Sequence, residues 1–293
     1  MSAHCGGRRL SFPAADARPG RRLLLGLAGL VAGAFANLAV AAELPLWELG
    51  AGVGYLHLPH YRGARQSSNW LLPVPYFVYR GEIVRADRDG VRARLIDSER
   101  IDLDLSASAT APVRSKDDDA RRGMPELDGT VEVGPNLNLT LDRGPGWKLD
   151  LRVPVRASLT IASHPRMIGW RATPNLNLDR AVAGWNFGLH TGPVFGTRRY
   201  HAHFYDVAPA YATPERPAYS APGGYGGWQG TAALSRRDGN RWTGLFVKFD
   251  NAAGARFEAS PLVQRRTTAA LGVAVSWSLW RSERLVPDRD APP

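Results

Sequence analysis

The stretch RIDLDLSASAT, residues 100–110, sets Asp102 and Asp104 two positions apart, a spacing at which two carboxylates could divide acid and base work. HAHFYD, residues 201–206, gathers two imidazoles and a carboxylate, donors that suit a transition metal, yet no third ligand follows at a metal-site spacing. On a strand His201 and His203 would share a face, and a polar strand end running into a loop accounts for them without a metal. His57 and His60, in YLHLPHY, read as another loop pair. The glycines of APGGYGGWQG, residues 221–230, lack the Lys-Ser/Thr of a phosphate loop and read as a flexible loop entering a strand. No G-x-S-x-G, S-x-x-K or H-E-x-x-H occurs, and no spacing joins Ser158 to His190, the pair a hydrolase inside a barrel wall would need. The sequence therefore assigns no catalytic, cofactor or metal residues.

What the acids of 100–110 do depends on the element that carries them. Leu103, Leu105, Ala107 and Ala109 alternate with Asp102, Asp104, Ser106 and Ser108, the period of a strand with two unlike faces. The same period recurs in VEVGPNLNLTLD, where Val131, Val133, Leu137, Leu139 and Leu141 oppose Glu132, Asn136, Asn138 and Thr140. It returns in KLDLRVPVR and in TAALGVAVSWSLW. PNLNLTLDR at 135–143 is echoed by PNLNLDR at 174–180, 39 residues later, the length of one hairpin up and back. The copies should run in the same direction.

A chain of 293 residues with 44% apolar residues, 31 glycines and 22 prolines favours many turns and few long helices. Five arginines (Arg8, Arg9, Arg18, Arg21, Arg22), an apolar run from Leu23 to Val40 and the small residues Ala39-Val40-Ala41 read as a signal peptide over 1–41, cleaved near Ala41/Ala42. Its removal lowers the net charge from +10 to about +6. The remaining basic residues are scattered, which argues against nucleic acid as a partner. The single cysteine, Cys5, lies in the leader, so the mature chain has no thiol chemistry.

Strands of about ten residues, aromatics at strand ends and an export signal favour a transmembrane up-and-down antiparallel β-barrel over 42–280, followed by a polar tail at 281–293. The girdle would comprise Trp47, Tyr55, Trp70, Tyr79, Trp147, Trp170, Trp185, Trp242 and Trp280. Outer-membrane lipid would be the surrounding medium. Arg92, Arg94, Asp102, Asp104, Glu132, Asp150, Arg152 and Lys248 would face the lumen, where the two acids of 100–110 become counter-charges rather than catalysts. Leu103→Asp should then impair assembly more than Asp102→Leu. Short turns at 87–90, 142–146, 179–184 and 236–240 alternate with long connections, which gives ten strands with both ends on the periplasmic side. The polar DSER, 97–100, reads as a bulge or a real turn; turns must be added in pairs to keep the parity, so twelve strands is the alternative.

LWELGAGVGYLHLPHYRGA, LLPVPYFVYRGE, FYDVAPAYA with the later GGYGGW, and RWTGLFVKFDNAAGARFEASPLV, in this order, resemble the MipA/OmpV family of Gram-negative outer-membrane barrels over about residues 43 to 280. The resemblance implies a non-enzymatic role, as a scaffold joining a lytic transglycosylase to a penicillin-binding protein in murein synthesis, or alternatively as a narrow porin-like channel or an adhesin. It carries over no catalytic residues. Gly50, Gly52, Gly54, Pro73 and Pro75 within these motifs are expected to shape strands. The chain departs from the usual ending, because Trp280 is followed by RSERLVPDRDAPP where barrels commonly close on an aromatic.

Overall fold

The structure, a computed structural model, describes residues 43–81, 84–87, 90–98 and 100–287, with 84–87 and 90–97 described in backbone only. The expected leader and its cleavage point lie outside the described residues. A short strand β1 (Glu43–Pro45) precedes the wall strands β2 (Trp47–Pro59), β3 (Ser67–Arg80), β4 (Val84–Asp87), β5 (Gly90–Asp97), β6 (Ile101–Thr110), β7 (Gly129–Gly144) and β8 (Trp147–Ile161). The wall continues through β9 (Met167–Ala172), β10 (Asn175–Val182), β11 (Trp185–Gly196), β12 (Gly224–Asp238), β13 (Arg241–Asn251) and β14 (Thr267–Arg281), and β15 (Leu285–Pro287) ends the described chain. One α-helix, α1 (Arg198–Tyr205), lies between β11 and β12.

Each of β2 to β8 pairs antiparallel with its sequence neighbour, as do β11 to β14, and β2 pairs with β14. Both β9 and β10 lie between β8 and β11, so the sheet closes on itself. They are two segments of one wall position, interrupted at Thr173 and Pro174. Closure leaves the ring without a first or last strand, the kind of full-length edge that membranes forbid. β7 and β10 flank β8 and are both antiparallel to it, so the PNLNL copies run in the same direction.

The described strands occupy twelve wall positions rather than ten, and the additions come as a pair. The chain reverses between β5 and β6: the Ser98 amide and hydroxyl donate to the Ile101 carbonyl at 3.0 and 2.8 Å, and the Ile101 amide donates back to the hydroxyl at 3.1 Å. A further turn between β3 and β4 divides what the alternation of turn lengths treats as one strand. As a result the Asp87–Gly90 end of the β4–β5 pair lies away from the rim where the other short turns lie.

Alternation resolves the two faces. Leu49, Val53, Leu105, Phe187, Leu189, Leu245, Phe249, Leu271 and Val273 are all exposed, while Glu48, Asp104, Glu132, Asp150, Asn177 and Ser276 are buried. This is the inverse of a soluble sandwich and the arrangement that hydrocarbon around the wall requires. At the closing seam β2 and β14 approach so closely that a Cβ on Gly50 would lie 1.8 Å from the Trp277 carbonyl oxygen, and one on Gly52 2.2 Å from that of Val275. Glycine is needed there because two backbones meet.

The apolar core sits in the connections rather than in the wall. Residues 60–66, 111–128, 206–222 and 252–266, with α1, form a plug around Tyr61, Val113, Leu127, Tyr205, Val207, Phe257 and Leu262. Tyr205 stacks on Phe257 with ring centroids 3.7 Å apart. The plug is tied together by the Tyr61 hydroxyl donating to the Leu262 carbonyl at 3.0 Å and the Tyr205 hydroxyl donating to the Arg62 carbonyl at 3.0 Å. At the opposite rim β15 pairs with β1, bringing both ends of the described chain together.

Candidate functional site

Beneath the plug the inward rows of four wall strands, β7, β9, β12 and β13, converge on one charged network. Arg62, from the loop after β2, bonds to Asp250 and donates to the Gly226 carbonyl at 2.8 Å and to Gln229 at 3.3 Å. Lys248 reaches the other oxygen of Asp250 at 3.2 Å. Arg171 on β9 donates to Glu132 at 3.1 Å and to Gln229 at 3.0 Å, and the Tyr200 hydroxyl on α1 donates to Glu132 at 3.2 Å. Glu132 is 1% exposed. Three cations thus share two carboxylates. Removing charges from water is costly unless each finds a partner, so such a cluster holds together as a unit.

Two further clusters line the interior below it. Asp150 on β8 is met by Lys148 at 3.1 Å and Arg152 at 3.5 Å, and accepts from the Thr140 hydroxyl at 3.1 Å; Arg152 also reaches Asp179 at 3.1 Å. At the terminal rim, Glu48 is held by Arg80 at 2.8 Å and by a two-pronged contact with Arg237. Asp104 accepts from the side-chain amides of Asn138 at 2.8 Å and Asn136 at 3.4 Å. Asp102 is half-buried, opposite Asn138 in the register. Arg92 and Arg94 stand opposite Ser106 and Asp104 in the ladder, but their side chains lie outside the described residues.

Trp47, Tyr55, Tyr79, Trp147, Trp170, Trp185 and Trp280 alternate with inward residues and lie on the outer face, Trp47 and Tyr79 as a cross-strand pair. Two expected girdle residues do not. Trp242 shares its row with buried Gly244, over which its ring folds, and is registered with buried Ser276; Trp70 is registered with Leu56, on the row of fully buried Glu48. An aromatic near a strand end takes its face from parity, and both residues have inward parity. Trp228 and Trp277, exposed on the outer face at 47% and 41%, belong to the outer set instead.

The histidines of HAHFYD lie on α1, where two positions apart means different sides. His201 is buried, its Nδ1 2.8 Å from the Pro222 carbonyl and its ring edge-on to Phe257, while His203 packs edge-on against Phe204. Burial lowers the pKa of both imidazoles, against the favourable bond to Pro222 at His201, with the Arg62 charge adding to the depression there. No group of three metal-ligating side chains occurs among the described residues. His190 is level in the ladder with Asn177 and Asp150, about 26 Å along β8 from Ser158, so that pair is not brought together. His57 meets Asn69 at 2.7 Å, and His60 bridges Asp118 at 2.9 Å and Ser68 at 3.0 Å.

Arg62, Arg171, Tyr200 and Gln229 escape sequence reasoning. Arg171 has a signal, because outward Trp170 fixes its parity. Arg62 has none, because a loop has no period.

Between plug and network lies a cavity of about 300 Å3 lined by Leu58, Trp70, Phe246, Arg62, Arg171 and Lys248 among others. A hollow of about 310 Å3 between Asp119, Arg122, Glu215 and Arg216 shares none of these residues.

The family model described as MltA-interacting protein MipA matches residues 49–279. The chain belongs to that family. It is an outer-membrane β-barrel protein, and the apolar outer face of its wall suits that setting. No curated protein matches. Among solved structures, an outer membrane channel from Pseudomonas putida F1 is similar at 13% identity and a TM-score of 0.44, covering 83% of this chain and 99% of that one. Outer membrane phospholipase A from Escherichia coli is similar at 13% identity and a TM-score of 0.33, covering 80% and 94%. The CymD monoaromatic hydrocarbon channel is similar at 9% identity and a TM-score of 0.34, covering 82% and 90%.

Proposed function

We propose that the protein is a non-catalytic scaffold of the outer membrane, exported through the periplasm with both chain ends on the periplasmic side. Its barrel would present a docking surface to murein enzymes, a lytic transglycosylase first among them and a penicillin-binding protein second. The observation that supports this reading most is the plug. One end of the interior is stopped by a folded core, and the charges beneath it bond to one another, so the barrel offers rims to partners rather than a wide aqueous passage. The family's description, an MltA-interacting protein, supports the class of partner. The β1–β15 pair gives the terminal rim an ordered feature on which a periplasmic enzyme can seat.

The test is retention of murein enzymes from solubilised envelopes on the immobilised full-length protein. Capture of a lytic transglycosylase, lost when Leu285–Pro287 is replaced by glycines, is expected. Failure to hold any murein hydrolase or synthase would sink the reading. Stepwise conductance in a planar bilayer would favour a narrow channel instead.

A further inference from the structure

The wall is not paired along its full height. β3 is laddered to β2 from Ser67 to Tyr79, but to β4 only at Tyr79 and Arg80. β4 is four residues long, and its hairpin partner β5 is registered with β6 no higher than Ser106. Among the described residues no strand pairs with the far edge of β3 from Ser67 to Pro75. That edge bears Pro73 and Pro75, two residues apart and so on one side of the strand, where each removes a backbone donor; proline in sheets is confined to edges. The sequence itself thus treats β3 as an edge within a closed ring.

The interior beside this edge is apolar. Trp70, Leu56, Gly272 and Phe246 form one inward row across β3, β2, β14 and β13. Leu72, inward by the same parity, is nevertheless 39% exposed. The cavity under the plug reaches this place: its lining includes Ser68 and Trp70 on one side, Ala109 to Val113 on the other, and the cations Arg62, Arg171 and Lys248 at its end. The plug covers it from above through His60 and Asp118.

We propose that the gap beside β3 is a lateral entrance from the bilayer to a binding site for a single-chain amphiphile with an anionic head, a fatty acid being the simplest. The chain lies along Leu58, Trp70 and Phe246, and the carboxylate meets the cation that the three-to-two balance of the network leaves in excess. A volume of about 300 Å3 is at the low end of small-molecule pockets, ~300–1,000 Å3, and suits one chain rather than a two-chain lipid. This site stands independently of the scaffold reading.

The test is photolabelling of the full-length protein in nanodiscs of phosphatidylethanolamine and phosphatidylglycerol with a diazirine-bearing dodecanoic acid. The expected result is saturable labelling of the peptides carrying Trp70 and Ala109–Val113, competed by unlabelled dodecanoic acid but not by its methyl ester. Ala270→Phe, which fills the cavity from β14, should lower that labelling about tenfold while the band stays heat-modifiable. Competition in the unchanged protein decides the matter should Ala270→Phe fail to fold. Labelling spread over the outer face, without saturation or competition, overturns the proposal. Equal competition by the ester overturns the role of the cations.

Discussion

Asp250 accepts from two cations on different elements, Arg62 and Lys248, and so carries more of the interior than its neighbours. Asp250→Ala leaves both without that carboxylate in a confined space, and the expected cost is about 3–5 kcal/mol. It would be read as a lower temperature for loss of the folded, fast-migrating band; an unchanged midpoint would show that water already serves these groups. Leu105, 40% exposed on the outer face of β6, makes the opposite test. Leu105→Arg should cost up to about 2–4 kcal/mol, the range for a cation at mid-depth, whereas Ser106→Arg on the inward face should cost less. The reverse ranking in an assembly assay would mean that the faces are inverted. Parity made much of this legible: Asp104, Glu132 and Asp150 alternate with apolar neighbours, and all three are buried. Their partners were not legible, because Glu132 meets Arg171 and Tyr200 across other strands and a helix, and nothing in a local period reports such distances.

At the scale of elements, the plug is the part that titrates. His201 and His203 are held neutral by burial, below the ordinary value of 6.5. The unfolded loops bind protons more readily than the folded ones, so the stability that these residues contribute is present above about pH 6.5 and lost as the pH falls through that value. The protection of amides in 198–222, taken relative to their intrinsic exchange rate at each pH, should therefore fall on acidification, and His201→Phe with His203→Phe should flatten the dependence. The seam is the other sensitive element. Gly52→Val forces a side chain to 2.2 Å from the Val275 carbonyl, so β2 and β14 cannot keep their distance, and the heat-modifiable band should be lost. The glycines of GAGVG were legible as wall-shaping residues, but that they face the last wall strand was not. α1 was missed because HAHFYD also fits a strand end, and tertiary packing of Tyr200, His201 and Tyr205 decides for a helix.

For the whole molecule, inverted alternation identified a barrel, and turn lengths undercounted its wall. Two turns, one after β3 and one at DSER, are too short and too polar to distinguish from irregularities within a strand. They generate the low β4–β5 hairpin, so the missed pair and the gap in the wall have one origin. With its interior stopped by the plug, the protein should be silent in planar bilayers at moderate voltage. Steady stepwise currents from the unaltered chain would mean that the plug leaves the lumen open.

The pairing of β2 with β14 also sets an order of events. The first long strand of the wall has its partner at the far end of the described chain, so its backbone groups on that side stay unmatched until the last long strand arrives. Contacts between segments so remote in sequence form slowly. Throughout that interval β2 is an adhesive edge, and whatever shields it in the cell sets how many copies reach the finished ring rather than an aggregate.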